Sequence, residues 1–153
     1  MSHFPTGVTV VTGAPEGRPA GMTIGSFFSV SLDPPLVGLC AGKGSTSWPL
    51  IEPAGCFTVN FLGADQANLS DHFASSAADK FDGIGYRAGI TGSPILDGAV
   101  AHIDCETDRI VDAGDHHIVI GRVVELGVDR DDGADGEPLL FFRRTYGTFA
   151  ARS

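Results

Sequence analysis

Glycine and proline interrupt this 153-residue chain too often for long helices: there are 21 Gly and 9 Pro. Gly loses much backbone freedom when ordered, and Pro lacks the N–H that a helix interior needs. Between the breaks lie short runs rich in Val, Ile, Phe and Thr, at 8–12, 27–32, 36–41, 57–62, 99–111, 118–128 and 139–143. Such residues suit a pleated, partly buried sheet. The expected architecture is mainly β: a barrel or sandwich of antiparallel strands with a few short helices. A Rossmann unit is disfavoured, because no Gly-x-Gly-x-x-Gly follows a strand and strands do not alternate regularly with helices. The length predicts a single domain over residues 1–153 with a sizeable core.

Within that frame some registers can be read. From Ala101 to Glu106 odd positions are apolar and even positions polar, the pattern of a half-buried antiparallel strand. The next run sets Ile118, Ile120, Val124, Leu126 and Val128 on one face, interrupted by Arg122. Asp112, Ala113, Gly114 and Asp115 supply turn residues for a hairpin between the two. Asp65 is placed to cap a helix carrying Leu69 and Phe73. Ser47 is placed to cap a short helix with Pro49 near its start and Pro53 near its end. Residues 129–137 read as an exposed acidic loop.

Charge and cysteine usage exclude several classes of function. The net charge is −9, from 10 basic and 19 acidic residues, which repels nucleic-acid backbones and anionic membranes. Apolar stretches such as 36–41 fall far short of the ~20 residues of a membrane helix. The first residues show no signal peptide. Cys40, Cys56 and Cys105 form no CxxC pair, so they read as small buried hydrophobes in a reducing, cytoplasmic setting. The histidines lack metal-ligand spacing, so no metal site is expected. There is no Gly-x-Ser-x-Gly elbow.

Three segments can carry chemistry. Residues 21–35 interleave small hydroxyls with apolar residues along a strand, which can lay donors against a flat, polar-edged ligand. Gly42, Lys43, Gly44, Ser45, Thr46 and Ser47 put one cation and three hydroxyls before a helix, a candidate anion seat or a plain cap. Gly114, Asp115, His116 and His117 open a long strand whose adjacent histidines face opposite ways. One of them can face a pocket as a hydrogen-bond donor, or both can be solvated.

Together these segments resemble the flavin reductase-like family, with its FMN-binding split barrel of Greek-key type, over most of residues 4–149. The residues carrying the resemblance begin with Phe4-Pro5-Thr6-Gly7, Gly21-Met22-Thr23 and Ser29-Val30-Ser31-Leu32-Asp33-Pro34-Pro35. Ser45-Thr46-Ser47-Trp48-Pro49, Asp79-Lys80-Phe81 and Gly114-Asp115-His116 follow in order. The resemblance implies a homodimer that transfers hydride from NADH or NADPH to FMN or FAD, with reduced flavin passing to a partner monooxygenase. It implies that Thr23, Ile24, Gly25, Ser26, Ser29, Val30 and Ser31 line the isoalloxazine and ribityl chain. Lys43, Ser45 and Thr46 would seat the phosphate, with Lys80 and Phe81 closing that side. His116 would meet the nicotinamide, and Tyr146 would stand at the pocket rim. The family's helix ahead of Phe4 is represented here only by Met1, Ser2 and His3. Gly44 stands where relatives often carry a hydroxyl. The alternatives are an electron-transfer flavoprotein of the same fold without nicotinamide turnover, and an interaction protein that has lost its ligand.

Overall fold

The computed structural model describes residues 2–130 and 136–152. In chain order the elements are β1 (Thr6–Gly7), β2 (Thr9–Gly13), β3 (Ala20–Ile24), β4 (Phe28–Leu32), β5 (Pro35–Gly42), α1 (Trp48–Ile51) and β6 (Cys56–Phe61). They continue with α2 (Ala67–Ala74), β7 (Tyr86–Ala88), β8 (Pro94–Leu96), β9 (Ala101–Ala113), β10 (His116–Val128), β11 (Leu140–Phe142) and β12 (Thr145–Gly147). Seven strands form one antiparallel sheet in the order β3-β2-β6-β9-β10-β5-β4. β1, β11 and β12 make a small sheet, and β7 with β8 a ribbon.

The large sheet curls but does not close, since β3 and β4 remain its edges. Ser26, in the link between those edges, partly bridges the gap. Its Oγ accepts the Cys40 N–H at 2.9 Å and donates to the Cys40 carbonyl at 3.1 Å on β5. The result is the mainly β split barrel that the strand content and the family resemblance imply. Adjacent residues of β2 serve two cores, because successive side chains of a strand point to opposite faces. Val11 packs with Leu39, Trp48, Phe57, Val59 and Val119. Val10 packs with Leu62, Phe73, Phe81, Leu96 and Leu139.

Two strands, one turn and both helix caps differ from the sequence reading. β9 is not half-buried at its start, because His102 and Asp104 are as buried as Ile103 and Cys105. Asp104 is covered by the 89–93 loop and satisfied there. It accepts Thr58 Oγ1 at 2.8 Å, Thr91 Oγ1 at 2.7 Å and the Thr91 N–H at 2.8 Å. His102 has its Nδ1 2.6 Å from Asp129 Oδ2. Asp104 therefore enters this interior fully partnered, as a buried carboxylate needs, whereas His102 is paired at Nδ1 and its Nε2 has no hydrogen-bond partner among the described residues.

In β10 the core face runs through Val119, Gly121 and Val123, not through Ile118 and Ile120. The pairing with β9 shifts register at Ile120/Gly121 and at Val123/Glu125. The β9–β10 turn is only Gly114-Asp115, with Gly114 at φ +67°. Neither expected helix cap forms. Ser45 Oγ, not Ser47, accepts the N–H groups of Ser47 and Trp48 ahead of α1. Gln66 Oε1 accepts the Gly63 N–H ahead of α2, while Asp65 pairs with Arg130. Of the acidic loop, residues 131–135 lie outside the described residues. Cys40, Cys56 and Cys105 are all free thiols. Burial pushes the Cys105 thiol up to about 12, so it stays protonated and inert.

Gly121 and Gly38 each admit an aromatic ring, and their substitution separates buried from surface packing. An added Cβ at Gly121 meets the fully buried Phe57 ring at 2.5 Å. At Gly38 it meets Phe28, whose ring is partly exposed and can swing away. Gly121→Ala is expected to cost about 1–3 kcal/mol in urea unfolding, and Gly38→Ala clearly less. Equal losses would show that Phe57 is free to move.

Candidate functional site

The site is organised by the pairing of β10 with β5. That register sets His116 opposite Gly42, and the Lys43 N–H donates to the Asp115 carbonyl at 2.9 Å. Residues 42–47 and the Gly114-Asp115-His116 turn, some seventy positions apart, thus become neighbours. His116 Nδ1 lies 2.7 Å from Asp115 Oδ1, and that bond holds the Asp115 carboxyl below the usual carboxylate range. A Cβ at Gly42 would stand 3.7 Å from His116 Nε2, so the ring lies along the end of β5.

Beside this loop opens a cavity of about 320 Å³. Met22 and Thr23 of β3, Gly44 to Ser47, Phe73 and Ala74 of α2, Ser75, Ser76 and Lys80 line it. The Thr46 hydroxyl is exposed and has no hydrogen-bond partner among the described residues. Ser45 Oγ accepts the backbone N–H groups ahead of α1 and donates to Met22 Sδ at 3.9 Å, a weak bond that an anion's oxygen can replace. With only four residues, α1 contributes little dipole, so the seat depends on side chains and loop amides.

Lys80 supplies the charge. Its Nζ donates to the Phe73 carbonyl at 2.8 Å, to Ser47 Oγ at 2.9 Å and, weakly, to the Gly21 carbonyl at 3.5 Å. Among the described residues no carboxylate lies within ion-pair distance of it. Burial pulls its pKa below the ordinary lysine value. A half-buried ammonium with only neutral partners favours an anion, and the Gly21 bond is the easiest to exchange for one. These groups fit the phosphate of a flavin nucleotide.

The other expected site residues are more scattered. Lys43 points away from the cavity and pairs with Asp112 on β9. Thr23 lines the cavity but spends its hydroxyl on the Ser70 carbonyl at 2.6 Å. Ile24 is a core residue, and Gly25 and Ser26 line a separate hollow with Phe27 and Phe61. Ser29, Val30 and Ser31 lie on the edge strand β4, where Val30 bulges between the two serines in the pairing with β5. Phe81 is buried, edge-on to Phe73 and Tyr86. Tyr146 donates to Asp71 Oδ1 at 2.6 Å and lies 2.9 Å from Ser70 Oγ, tying β12 to α2. Met22, Ser75 and Ser76 line the cavity without having been singled out as site residues. No local motif marks them; only the fold brings α2 and its exit loop to β3.

Comparison with known proteins identifies the family. A family model described as "Flavin reductase like domain" matches residues 1–150. A flavin reductase of Pseudomonas putida is 51% identical over 152 residues, 99% of this chain and 87% of that protein. A reductase subunit of a flavin-dependent monooxygenase from Rhodococcus jostii is 43% identical, covering 95% of this chain and 73% of its own length. Among solved structures, nitrilotriacetate monooxygenase component B from Mycobacterium thermoresistibile superposes with TM-score 0.90. It is 44% identical over 97% of this chain and 82% of that one. A Streptomyces globisporus NADH:FAD oxidoreductase gives 0.87 at 38% identity, covering 98% and 89%.

Two hydroxyls separate framework from seat. Ser26→Ala removes both bonds across the split and is expected to cost about 1–3 kcal/mol of stability. Thr46→Val removes an exposed, unpartnered hydroxyl and should change stability by less than ~0.5 kcal/mol while weakening flavin nucleotide retention. Thermal melts with flavin ultrafiltration check both; a Thr46→Val chain that retains flavin normally would remove Thr46 from the seat.

Proposed function

Because the chain belongs to the flavin reductase-like domain family and is an NAD(P)H-dependent flavin reductase, we propose that Ser45, Thr46 and Lys80 hold the phosphate of its flavin. Thr23 and the backbone of residues 24–26 and 29–31 would flank the ring system and ribityl chain. Lys43 would act at a distance, bracing the His116 turn through Asp112. His116 would orient the nicotinamide, with Asp115 fixing its ring. Tyr146 would act through α2, holding Ser70 and hence Thr23.

Bound flavin supplies the acceptor for the nicotinamide hydride, so the protein needs no acid–base pair of its own. The chain's task is orientation: to keep two flat rings at van der Waals distance with one face open. That accounts for a site of hydroxyls, amides and one lysine rather than a catalytic triad.

The observation that carries this reading is Lys80, a partly dry cation with only neutral partners. The partners follow the family pattern. FMN or FAD is reduced by NADH or NADPH, and the product goes to an oxygenase component, as in relatives named as monooxygenase reductase subunits. A homodimer is proposed because Phe28, Val30 and Leu32 are exposed on edge strand β4, with Ile110 and Val111 exposed near the β9–β10 turn. An apolar sheet edge invites a second copy. The cytoplasmic setting is supported by three free thiols. No helix among the described residues is long and apolar enough to cross a membrane.

Lys80→Gln is expected to raise the Kd for FMN about 10- to 100-fold, the scale of one charged hydrogen bond, and to leave riboflavin binding nearly unchanged. In the native chain, FMN affinity should fall as pH rises through the Lys80 pKa, which burial sets below the ordinary lysine value. Equal loss of riboflavin and FMN binding would remove Lys80 from the phosphate seat. His116→Ala should slow flavin reduction in stopped flow more than it weakens flavin binding; equal losses would count against the nicotinamide role.

A further inference from the structure

Lys80 reaches the cavity from the end of a segment with few attachments. Ser75, Ser76, Ala77, Ala78 and Asp79, between α2 and the buried Phe81, are all exposed. The bonds made by their own side chains are short-range: Ser75 Oγ accepts the Ala77 N–H at 3.3 Å, and Asp79 Oδ1 accepts the Phe81 N–H at 3.0 Å. Both ends of the segment are fastened to one residue, His72, in the last turn of α2. Its carbonyl accepts the Ser75 N–H at 3.2 Å and the Ser75 hydroxyl at 2.7 Å. Its ring reaches the other end, with Nε2 2.7 Å from the Lys80 carbonyl oxygen. Among the described residues the Lys80 backbone has no other hydrogen bond.

A carbonyl only accepts, so His72 Nε2 carries the proton of this bond, in the neutral ring or the imidazolium alike. Packing holds the ring for that task. It stands edge-on to Phe73 with centroids 5.5 Å apart, and Phe73 stands edge-on to Phe81, the residue after Lys80, at 5.2 Å. The Lys80 ammonium then turns back to the same helix end and donates to the Phe73 carbonyl at 2.8 Å. Backbone and side chain of Lys80 are thus docked on consecutive residues of α2. A long side chain at the end of a loose loop would lose much entropy on meeting an anion, and fixing its backbone beforehand removes part of that cost. We propose that His72 is the positioning residue of the phosphate seat: its Nε2–H fixes the Lys80 backbone, so that the ammonium stands ready for the flavin phosphate. The inference rests on the reading of Lys80 as the seat's cation. His72 does not line the cavity; it acts through Lys80.

The test uses the full chain, with FMN and riboflavin titrated by ultrafiltration and by fluorescence of Trp48. Trp48 is the single tryptophan, buried, with its backbone N–H on Ser45 Oγ, and so lies beside the seat. His72→Asn, whose amide is too short to reach the Lys80 carbonyl, should raise the FMN Kd about five-fold, the scale of one hydrogen bond. Riboflavin, which has no phosphate, should bind as before. His72→Gln sets an amide N–H near the place of Nε2 and should restore most of the FMN affinity. His72→Phe keeps a ring against Phe73 without the donor and should match His72→Asn; it answers the same question if the asparagine variant does not fold in a thermal melt. Added to Lys80→Gln, His72→Asn should cause no further loss, because its effect passes through the ammonium. The inference is overturned, and the seat left standing, by any of four results: native FMN affinity in the folded donor-less variants, equal loss of FMN and riboflavin, no recovery in His72→Gln, or losses that multiply in the double variant. Native FMN affinity in Lys80→Gln itself would overturn the seat, and the inference with it.

Discussion

The pairing of β10 with β5 is the constraint on which the rest of the site depends. It sets His116 against Gly42 and ties the Lys43 amide to the Asp115 carbonyl. Those contacts join the loop that leads into α1 to the two-residue turn between β9 and β10. The pairing tolerates no slip. Moving β10 by one residue would turn Val119, Gly121 and Val123 away from the core and place His117 opposite Gly42. The two bulges between β9 and β10 let β10 keep this register while β9 keeps its own with β6.

A second layer of control comes from buried polar groups on β9 and β6. Asp104 has three donors supplied by Thr58 and Thr91, and Asn60 Nδ2 donates to the Val10 carbonyl while its Oδ1 accepts the Leu96 N–H. Such bonds are directional, whereas apolar contacts are not. They fix how the 89–93 loop and β8 lie over the sheet. An apolar core alone would leave that arrangement less specified. Asp104→Ala would leave three donors without their acceptor in a dry interior, so the carboxylate is better described as an organiser than as a spare acid.

Much of this was legible in the sequence, and the failures have physical causes. The strands at 28–32, 35–42, 56–61 and 101–113 follow from runs of β-branched and aromatic residues. The 114–115 turn follows from a glycine that must adopt positive φ. The inward face of β10 is hidden in the sequence because it includes Gly121, while the larger Ile118 and Ile120 lie on the other face. His102 and Asp104 looked solvent-facing because strict alternation was read as half-burial; a covering loop from 89–93 is a long-range fact. Lys43 looked like the seat cation because it lies in the glycine-rich loop. The structure pairs it with Asp112, and the cation in the cavity is Lys80, thirty-seven positions on. The Ser29-Val30-Ser31 run is legible as a strand, but its place on an open edge is not.

The choice between the two lysines follows from the protein's overall charge. At −9 the chain repels anions on average, so any cation that is to hold one must be kept from the surrounding carboxylates. Arg18, Lys43, Arg87, Arg109, Arg122 and Arg130 each face an Asp or Glu. Lys80 is surrounded instead by two backbone carbonyls and a hydroxyl, and its backbone carbonyl is fixed by His72 Nε2 at 2.7 Å. Neutral acceptors hold the ammonium in place without cancelling its charge, and partial burial strengthens its field by keeping water away. Burial also pulls its pKa below the ordinary lysine value. An acidic barrel thereby keeps a local region of positive potential at Lys80, as the proposed phosphate seat requires, while the net charge repels anions on average.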